Sequence, residues 1–241
     1  MPEIGEAVRY RFGIPTPLVM SWVTFVILFV LSFLATRRLK AVPGGLQSVF
    51  ETGFQFILDI VDEAVGPDGR PLYPFFIGLF LFILVGNLIG LVPGFSSPTA
   101  NLNTTAALAL LVFASTHVLG IRKRGFFGYL AHFTAGVPWW LKPLMFVIEM
   151  ISEMARPLSL AFRLFGNLMA KEILLGILAF LVVTLYHGGS TITLGMTVVP
   201  LFLRPLIILL GLLVGFLQAY IFTVLAISYI GGAVRTHSER S

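Results

Sequence analysis

Seven charged side chains lie within the two longest apolar tracts of the sequence, residues 143–186 and 197–232. They are the bases Arg156, Arg163, Lys171 and Arg204 and the acids Glu149, Glu153 and Glu172. A carboxylate that alternates between its charged and neutral forms can carry a proton, and burial favours the neutral form. An arginine keeps its charge at any ordinary pH, so it cannot join such a cycle. It can instead block a continuous proton path or attract a carboxylate.

Helical spacing divides these groups between two faces. At ~100° per residue, one face gathers six polar side chains within an arc of about 80°: Glu149, Glu153, Arg156, Arg163, Asn167 and Lys171. Glu172 follows Arg163 by nine residues, which places it about 180° round the helix and ~13 Å further along. Glu172 therefore cannot be the direct partner of Arg163 on that helix. The pattern predicts two half-paths with a fixed cation between them.

Structural roles compete with this interpretation. Arg156 and Arg204 could extend to an interface, the favoured interpretation for Arg204. Glu149 and Glu153 are equally compatible with ordinary solvation at one membrane surface.

A structural role can also be considered for Lys171, Gln218 and Arg163, and it explains them to different degrees. Lys171 and its neighbour could form a local ion pair, although adjacent residues do not face each other on a helix. Gln218 lies mid-span and either packs helices or helps to position Arg163. For Arg163, flanked by apolar side chains, function is favoured over structure.

The composition defines the elements that must hold these charges. Of the 241 residues, 57% are hydrophobic and 11% charged, against about 25% charged in soluble domains. Too few charges remain to solvate a globule, which predicts an all-α polytopic membrane protein. Apolar runs long enough to span ~30 Å predict a single membrane domain, residues 1–241, with five spans. These are residues 15–36, 72–95, 103–121, 143–186 and 197–232, the last two long and tilted.

Three segments lie outside the spans: an N-terminal segment, 1–14, an amphipathic interfacial helix, 43–66, and a tail, 233–241. Lys and Arg cluster in the loops on one side, which predicts a cytoplasmic C-terminus and an N-terminus outside. The acidic face of the interfacial helix favours a protein neighbour, although a helix merely resting on the membrane fits equally well. The acidic start is unlike a signal peptide.

Other classes of function are disfavoured. Cysteine is absent, so neither disulfides nor thiolate metal sites can form. We find no motif of a hydrolase, metalloprotease or nucleotide-binding loop, and expect no catalytic residues, metal or cofactor. The net charge of +5 follows the topology and indicates no nucleic-acid partner.

Two stretches carry a family resemblance: "RPLSLAFRLFGNLMAKEILL" (156–175) and "GFLQAYIFTVLAISYI" (215–230). Together with "PTANLNTT" before the third span, they resemble subunit a of the F-type ATP synthase, the stator subunit of the Fo sector. The resemblance covers essentially the whole chain. It implies a bacterial inner-membrane protein that conducts protons through two half-channels and couples their flow to rotation and ATP synthesis. The implied partners are the c-subunit ring, the b-subunit peripheral stalk, the rest of the synthase and membrane lipid.

The resemblance also implies roles for individual residues. Arg163 matches the essential arginine that faces the ring carboxylate, and Asn167 its neighbouring asparagine. Glu172 and Gln218 match positions associated with the outer half-channel and the arginine's surroundings, and Glu149 an inner position; Glu153 is a further candidate.

Two positions depart from the family. Lys171 stands where many members have a small residue, and Gly211 where some have histidine. We therefore predict a variant outer half-channel in which Lys171 supplies a cation near Glu172.

Two other classes fit the apolar composition, a secondary transporter and a purely structural membrane protein. Transporters often show inverted repeats, and none is visible here. A structural protein would tolerate the loss of Arg163.

Overall fold

The computed structural model describes residues 10–11, 14–36, 45–92, 95–134, 137–187 and 191–234. Within them, two short strands precede seven α-helices: β1 (Tyr10–Arg11), β2 (Ile14–Pro15), α1 (Thr16–Thr36), α2 (Leu46–Ala64), α3 (Tyr73–Ile89), α4 (Leu102–Arg124), α5 (Phe126–His132), α6 (Lys142–His187) and α7 (Thr191–Val234). Short 3-10 turns, Pro67–Leu72 and Pro98–Ala100, precede α3 and α4. Most of the predicted N-terminal segment, the basic residues at 37–40 and nearly all of the predicted tail lie outside the described residues.

Five of the helices, α1, α3, α4, α6 and α7, are long and apolar enough to cross a membrane, which confirms the predicted fold class. Helix α6 runs unbroken for 46 residues with Pro157 inside it, and α7 for 44 residues with Pro200 and Pro205 inside it. At ~1.5 Å per residue each exceeds 60 Å, about twice the hydrocarbon thickness. The two-residue strands pair antiparallel, Tyr10 opposite Pro15, and add little to this helical architecture.

The amphipathic segment forms α2. Its apolar face buries Ile57 and Val61, one turn apart. On its polar face the Gln55 amide donates to the Asp59 carboxylate at 2.9 Å, also across one turn. Pairs at this spacing stabilise a helix by a few tenths of a kcal/mol (~0.2–0.5). The alternation of apolar and polar positions with the helical period thus accounts for the helix.

The end of α4 follows from its last residues. Its final turn carries Arg122, Lys123 and Arg124, whose charges complement the negative end of the helix dipole. Gly125 follows with a positive φ of 72°, and its N–H donates to the Ile121 carbonyl at 2.8 Å. Glycine adopts this left-handed conformation without a steric penalty, so α4 ends here and α5 begins.

The chain divides into two compact units, and α6 and α7 contribute to both. The first unit contains the chain up to Phe29, Leu81–Thr104 and Arg163–Tyr220. The second contains Val30–Phe80, Thr105–Phe162 and the chain from Ile221. Each unit has buried apolar side chains of its own.

Most of the span surface is apolar and exposed. Only 17% of the most apolar stretch of α6 is buried. Phe162, Ile177 and Phe180 on α6 are each more than half exposed. A continuous apolar surface of this kind is incompatible with water and marks contact with lipid or with other subunits. The charged groups of α6 therefore interrupt an otherwise apolar surface.

Candidate functional site

Arg163 lies on the exposed side of α6, at the start of its segment in the first unit. Leu164 and Leu168, one turn apart, are fully buried on the opposite side. Gly166 and Ala170 are exposed on the side of Arg163. The guanidinium is thus presented from an apolar span beside small residues, which leave room for another polypeptide to approach closely.

Asn167 links the two long helices one turn after Arg163. Its side-chain amide donates to the Gln218 oxygen at 2.9 Å. Gln218 is only 3% exposed. A buried amide needs such partners, so the two residues fix each other and hold α6 to α7 beside Arg163. Of the two roles considered for Gln218, the helix contact is the one that the structure displays.

Glu172 contacts a different segment, the residues between α3 and α4. Its carboxylate accepts a hydrogen bond from the Ser97 backbone N–H at 2.8 Å. Ser97 is 3% exposed and Glu172 is partly buried. A hydrogen bond to a carboxylate favours its charged form and is stronger than a bond between neutral groups. Glu172 is therefore held in a polar environment inside the first unit.

A buried polar network continues from Ser97. The Ser97 hydroxyl lies 3.0 Å from the Gly86 carbonyl and 2.7 Å from the Thr99 hydroxyl, and Thr99 donates to the Asn87 oxygen at 2.6 Å. The Asn87 amide in turn donates to the Gly215 carbonyl on α7 at 2.9 Å. The two hydroxyls hold two protons for three contacts, so one contact lacks a proton at any moment. The network can therefore rearrange its protons without moving heavy atoms.

Lys171 is buried, 7% exposed, and its ammonium has no hydrogen-bond partner in the part of the chain that the structure describes. Its stem covers Gly211: a Cβ at Gly211 would lie 2.9 Å from the Lys171 Cδ and 3.0 Å from the Leu91 Cδ2. The missing side chain of Gly211 makes the space that Lys171 occupies. Among the described residues no ion pair joins Lys171 to Glu172, although their charges interact.

We expect Gly211→Val to destabilise the protein by about 1–3 kcal/mol, as overpacking usually does, because its side chain must displace Lys171. Lys171→Gly should relieve most of that cost, since it empties the same space. Thermal denaturation of both single variants and the double variant, in the purified complex, would measure the coupling. Strictly additive effects would contradict the contact.

A second cluster of charges lies in the second unit. Glu153 is 5% exposed and forms an ion pair and hydrogen bond with Arg156, one turn along α6. Arg156 also lies 3.6 Å from the Glu149 carboxylate, and its guanidinium stacks 5.3 Å from the centre of the Tyr229 ring. Arg156 thus joins two acids and an aromatic ring of α7, which stabilises both its position and its charge.

Further polar and aromatic groups surround Glu153. The His117 ring lies 5.7 Å from the Tyr129 ring. Burial and the neighbouring Glu153 charge raise the pKa of Tyr129 to about 12, so this hydroxyl stays protonated. Thr116 and Glu153 help to line a cavity of about 10 Å³, roughly the room for one water molecule. The second unit thus holds a compact group of proton donors and acceptors.

Arg156→Leu should destabilise the protein by about 3 kcal/mol, because it leaves the Glu153 carboxylate buried without its partner. Glu153→Leu should cost less, since Arg156 is about one-third exposed and retains Glu149. The double variant should regain much of the loss. Denaturation midpoints of the three variants would measure this, and a double variant as unstable as the sum would contradict it.

The structure brings some of the predicted residues together and leaves others apart. It pairs Asn167 with Gln218, and it groups Glu149 with Glu153 through Arg156. Two elements were not predicted, the Ser97–Thr99–Asn87 network and the Tyr229 ring. Asn87 was visible as a polar residue in an apolar span, which indicates either a path or a helix contact; Ser97 carried no comparable signal.

Comparison with known proteins identifies the family of this chain. The family model described as ATP synthase A chain matches residues 18–231, a range that contains every candidate residue. The chain belongs to the ATP synthase A chain family. One similar protein is ATP synthase subunit a of Geobacter sulfurreducens, 47% identical over 215 residues, which cover 89% of this chain and 85% of that protein. Another is ATP synthase subunit a 1 of Syntrophotalea carbinolica, 45% identical over 224 residues, covering 93% and 88%.

Membership of the ATP synthase A chain family confirms the predicted resemblance and function. This is the family of the proton-translocating Fo subunit, a multi-pass membrane protein of the ATP synthase complex. It decides against the secondary transporter and the purely structural protein. The family match does not assign separate roles to the candidate residues of this chain.

Proposed function

We propose that the chain carries protons to and from a rotating ring of c subunits through two half-channels. The outer half-channel uses Glu172 and the network from Ser97, with Asn167 and Gln218 beside Arg163. The inner half-channel uses Glu149 and Glu153. Arg163 lies between these groups along α6 and prevents protons from passing directly from one half-channel to the other. A carboxylate on each c subunit carries the proton round the ring.

One observation supports this proposal: the arginine and the glutamate of α6 lie in different surroundings. Arg163, whose guanidinium has a permanent charge, is exposed on the outer side of the helix. Glu172, which can titrate, is held inside the first unit by Ser97. An exposed cation on a span can face a carboxylate of a partner, and a polar interior is suited to proton transfer. Lys171 adds a positive charge next to Glu172 and so disfavours other cations there.

The proposal includes the setting of the chain. The protein performs no covalent chemistry of its own, and the soluble part of the synthase makes the ATP. It lies in a bacterial inner membrane with its N-terminus outside and its C-terminus in the cytoplasm, as the distribution of Lys and Arg favours. The b-subunit stalk holds it against the ring. Protons are the transported ion, since the candidate acids Glu149, Glu153 and Glu172 carry groups that exchange protons.

Disulfide crosslinking tests the ring contact, and the chain has no cysteine of its own. Ala170→Cys places a thiol on the exposed side near Arg163, about 20° from it round the helix. We expect it to crosslink, on oxidation of the assembled synthase, to a cysteine placed beside the c-subunit carboxylate. Leu168→Cys, on the buried side of the same turn, is the matched control. Equal crosslinking of the two, or none at Ala170 in an assembled complex, would contradict the proposed surface.

A further inference from the structure

An apolar groove lies along the first part of α7, within the first unit. Its volume is about 490 Å³, within the ~300–1,000 Å³ range of ligand pockets. Six of its seven lining residues are apolar and the seventh is a cation: Leu91, Leu201, Arg204, Pro205, Ile208, Leu209 and Leu212. Apart from the guanidinium, none of these side chains can form a hydrogen bond. The groove is therefore shaped for a molecule with a long apolar part and one anionic group.

Arg204 is the one charged residue among the described residues that line this groove. Its side chain is partly buried, and no ion pair or hydrogen bond satisfies it among the described residues. A partly desolvated charge is costly without a partner. A guanidinium offers a planar fork of donors that matches a phosphate group. The missing partner is thus an anion, and phosphate fits best.

The position of Arg204 indicates where that anion comes from. Arg204 lies eight residues, ~12 Å along the helix, from one end of the 39-residue span of α7. That span would measure ~58 Å if straight, far more than the ~30 Å of hydrocarbon. A residue near its end can therefore lie at headgroup depth, where phosphate is abundant.

We propose that this groove, which we call the Arg204 groove, binds one anionic phospholipid. The headgroup phosphate pairs with the Arg204 guanidinium, and an acyl chain lies against Leu201, Ile208 and Leu209. A helix of another subunit would need an acid placed against this one guanidinium, whereas the lipids around the span all bring a phosphate, and an anionic phospholipid has no headgroup cation to compete with Arg204. Acyl chains in the bilayer are already away from water, so the apolar lining contributes close packing with the acyl chain and the charge pair at Arg204 gives the site its preference. This proposal does not depend on the half-channels.

Photocrosslinking of the intact synthase would test the site. The complex is reconstituted in phosphatidylcholine vesicles containing phosphatidylglycerol with a diazirine on its acyl chain, and labelled peptides are mapped after irradiation. We expect labelling within residues 201–212, lowered at least several-fold in Arg204→Leu and largely retained in Arg204→Lys. Arg122→Leu, which removes an exposed cation at the end of α4, is the matched control and should not change the labelling.

Three results would overturn the proposal. The first is equal labelling of the wild type and Arg204→Leu, which would mean ordinary surrounding lipid. The second is labelling of the isolated chain but not of the synthase, which would mean that another subunit covers the groove. The third is absence of lipid labelling in an assembled wild type whose thermal stability nonetheless rises with inorganic phosphate, and rises less in Arg204→Leu, which would mean a site for the free anion. The same preparations, checked for subunit content, distinguish these results from failed assembly.

Discussion

Replacement of Arg163 by alanine is expected to abolish ATP-driven proton pumping while raising passive proton leak. At an effective dielectric of 20, a fixed positive charge ~5 Å from a path opposes a passing proton by about 3 kcal/mol. Because 1.4 kcal/mol is a factor of ten, its loss would raise the leak by up to about two orders of magnitude. Both quantities can be measured in vesicles with the full complex, the leak after removal of the soluble sector.

Two matched variants sharpen this experiment. Arg163→Lys keeps the charge but loses the planar fork, so it should limit the leak better than alanine without restoring full coupling. Arg122→Ala removes an exposed cation from the end of α4 and should pump normally. Normal coupled pumping by Arg163→Ala, in an assembled complex, would show that the charge is structural and that the proposed barrier is wrong.

The helices could be predicted because their causes are local. Long apolar runs specify the spans, and the alternation around Ile57 specifies α2. Helix α6 stays unbroken through Pro157, which a sequence pattern alone could not decide, because a proline permits a kink without requiring one.

The contacts of the candidate site are less predictable because they join distant segments. Glu172 is held by a backbone N–H 75 residues away, and every residue except proline has such a group. Nothing in the identity of Ser97 therefore marked it. The stacking of Tyr229 on Arg156 could not be predicted for the same reason, since aromatic residues are common throughout this chain and nothing singled out this one.

Lys171 shows what the structure adds to a prediction made from the sequence. The sequence indicated that Lys171 and Gly211 are unusual together, and the structure gives a steric reason: the lysine stem fills the space above the glycine. The local ion pair with Glu172, considered above as a structural alternative, does not form among the described residues, because adjacent side chains on a helix diverge. The influence of Lys171 on Glu172 is therefore through space.

Glu172→Gln is expected to lower proton conduction by about 10²-fold or more, the usual contribution of a positioned acid or base. Glutamine has nearly the same shape, and its side-chain oxygen can still accept the Ser97 N–H. It cannot take up and release a proton at ordinary pH. The variant therefore separates the proton-carrying role of Glu172 from its packing role. Glu172→Asp, which keeps an acid at a shorter reach, should retain part of the conduction.

Ser97→Ala is the matched variant for this experiment because it keeps the backbone N–H that binds Glu172 and removes only the hydroxyl. If protons pass from Glu172 into the polar network, Ser97→Ala should slow conduction while the Glu172 contact remains. Passive conduction is measured after the soluble sector is removed, and the denaturation midpoint reports whether each variant is intact. Full conduction by Glu172→Gln would make Glu172 a structural acceptor for Ser97 and would move the outer path elsewhere. Loss of conduction by Glu172→Gln with an unchanged midpoint fits only a carboxyl group that itself exchanges protons.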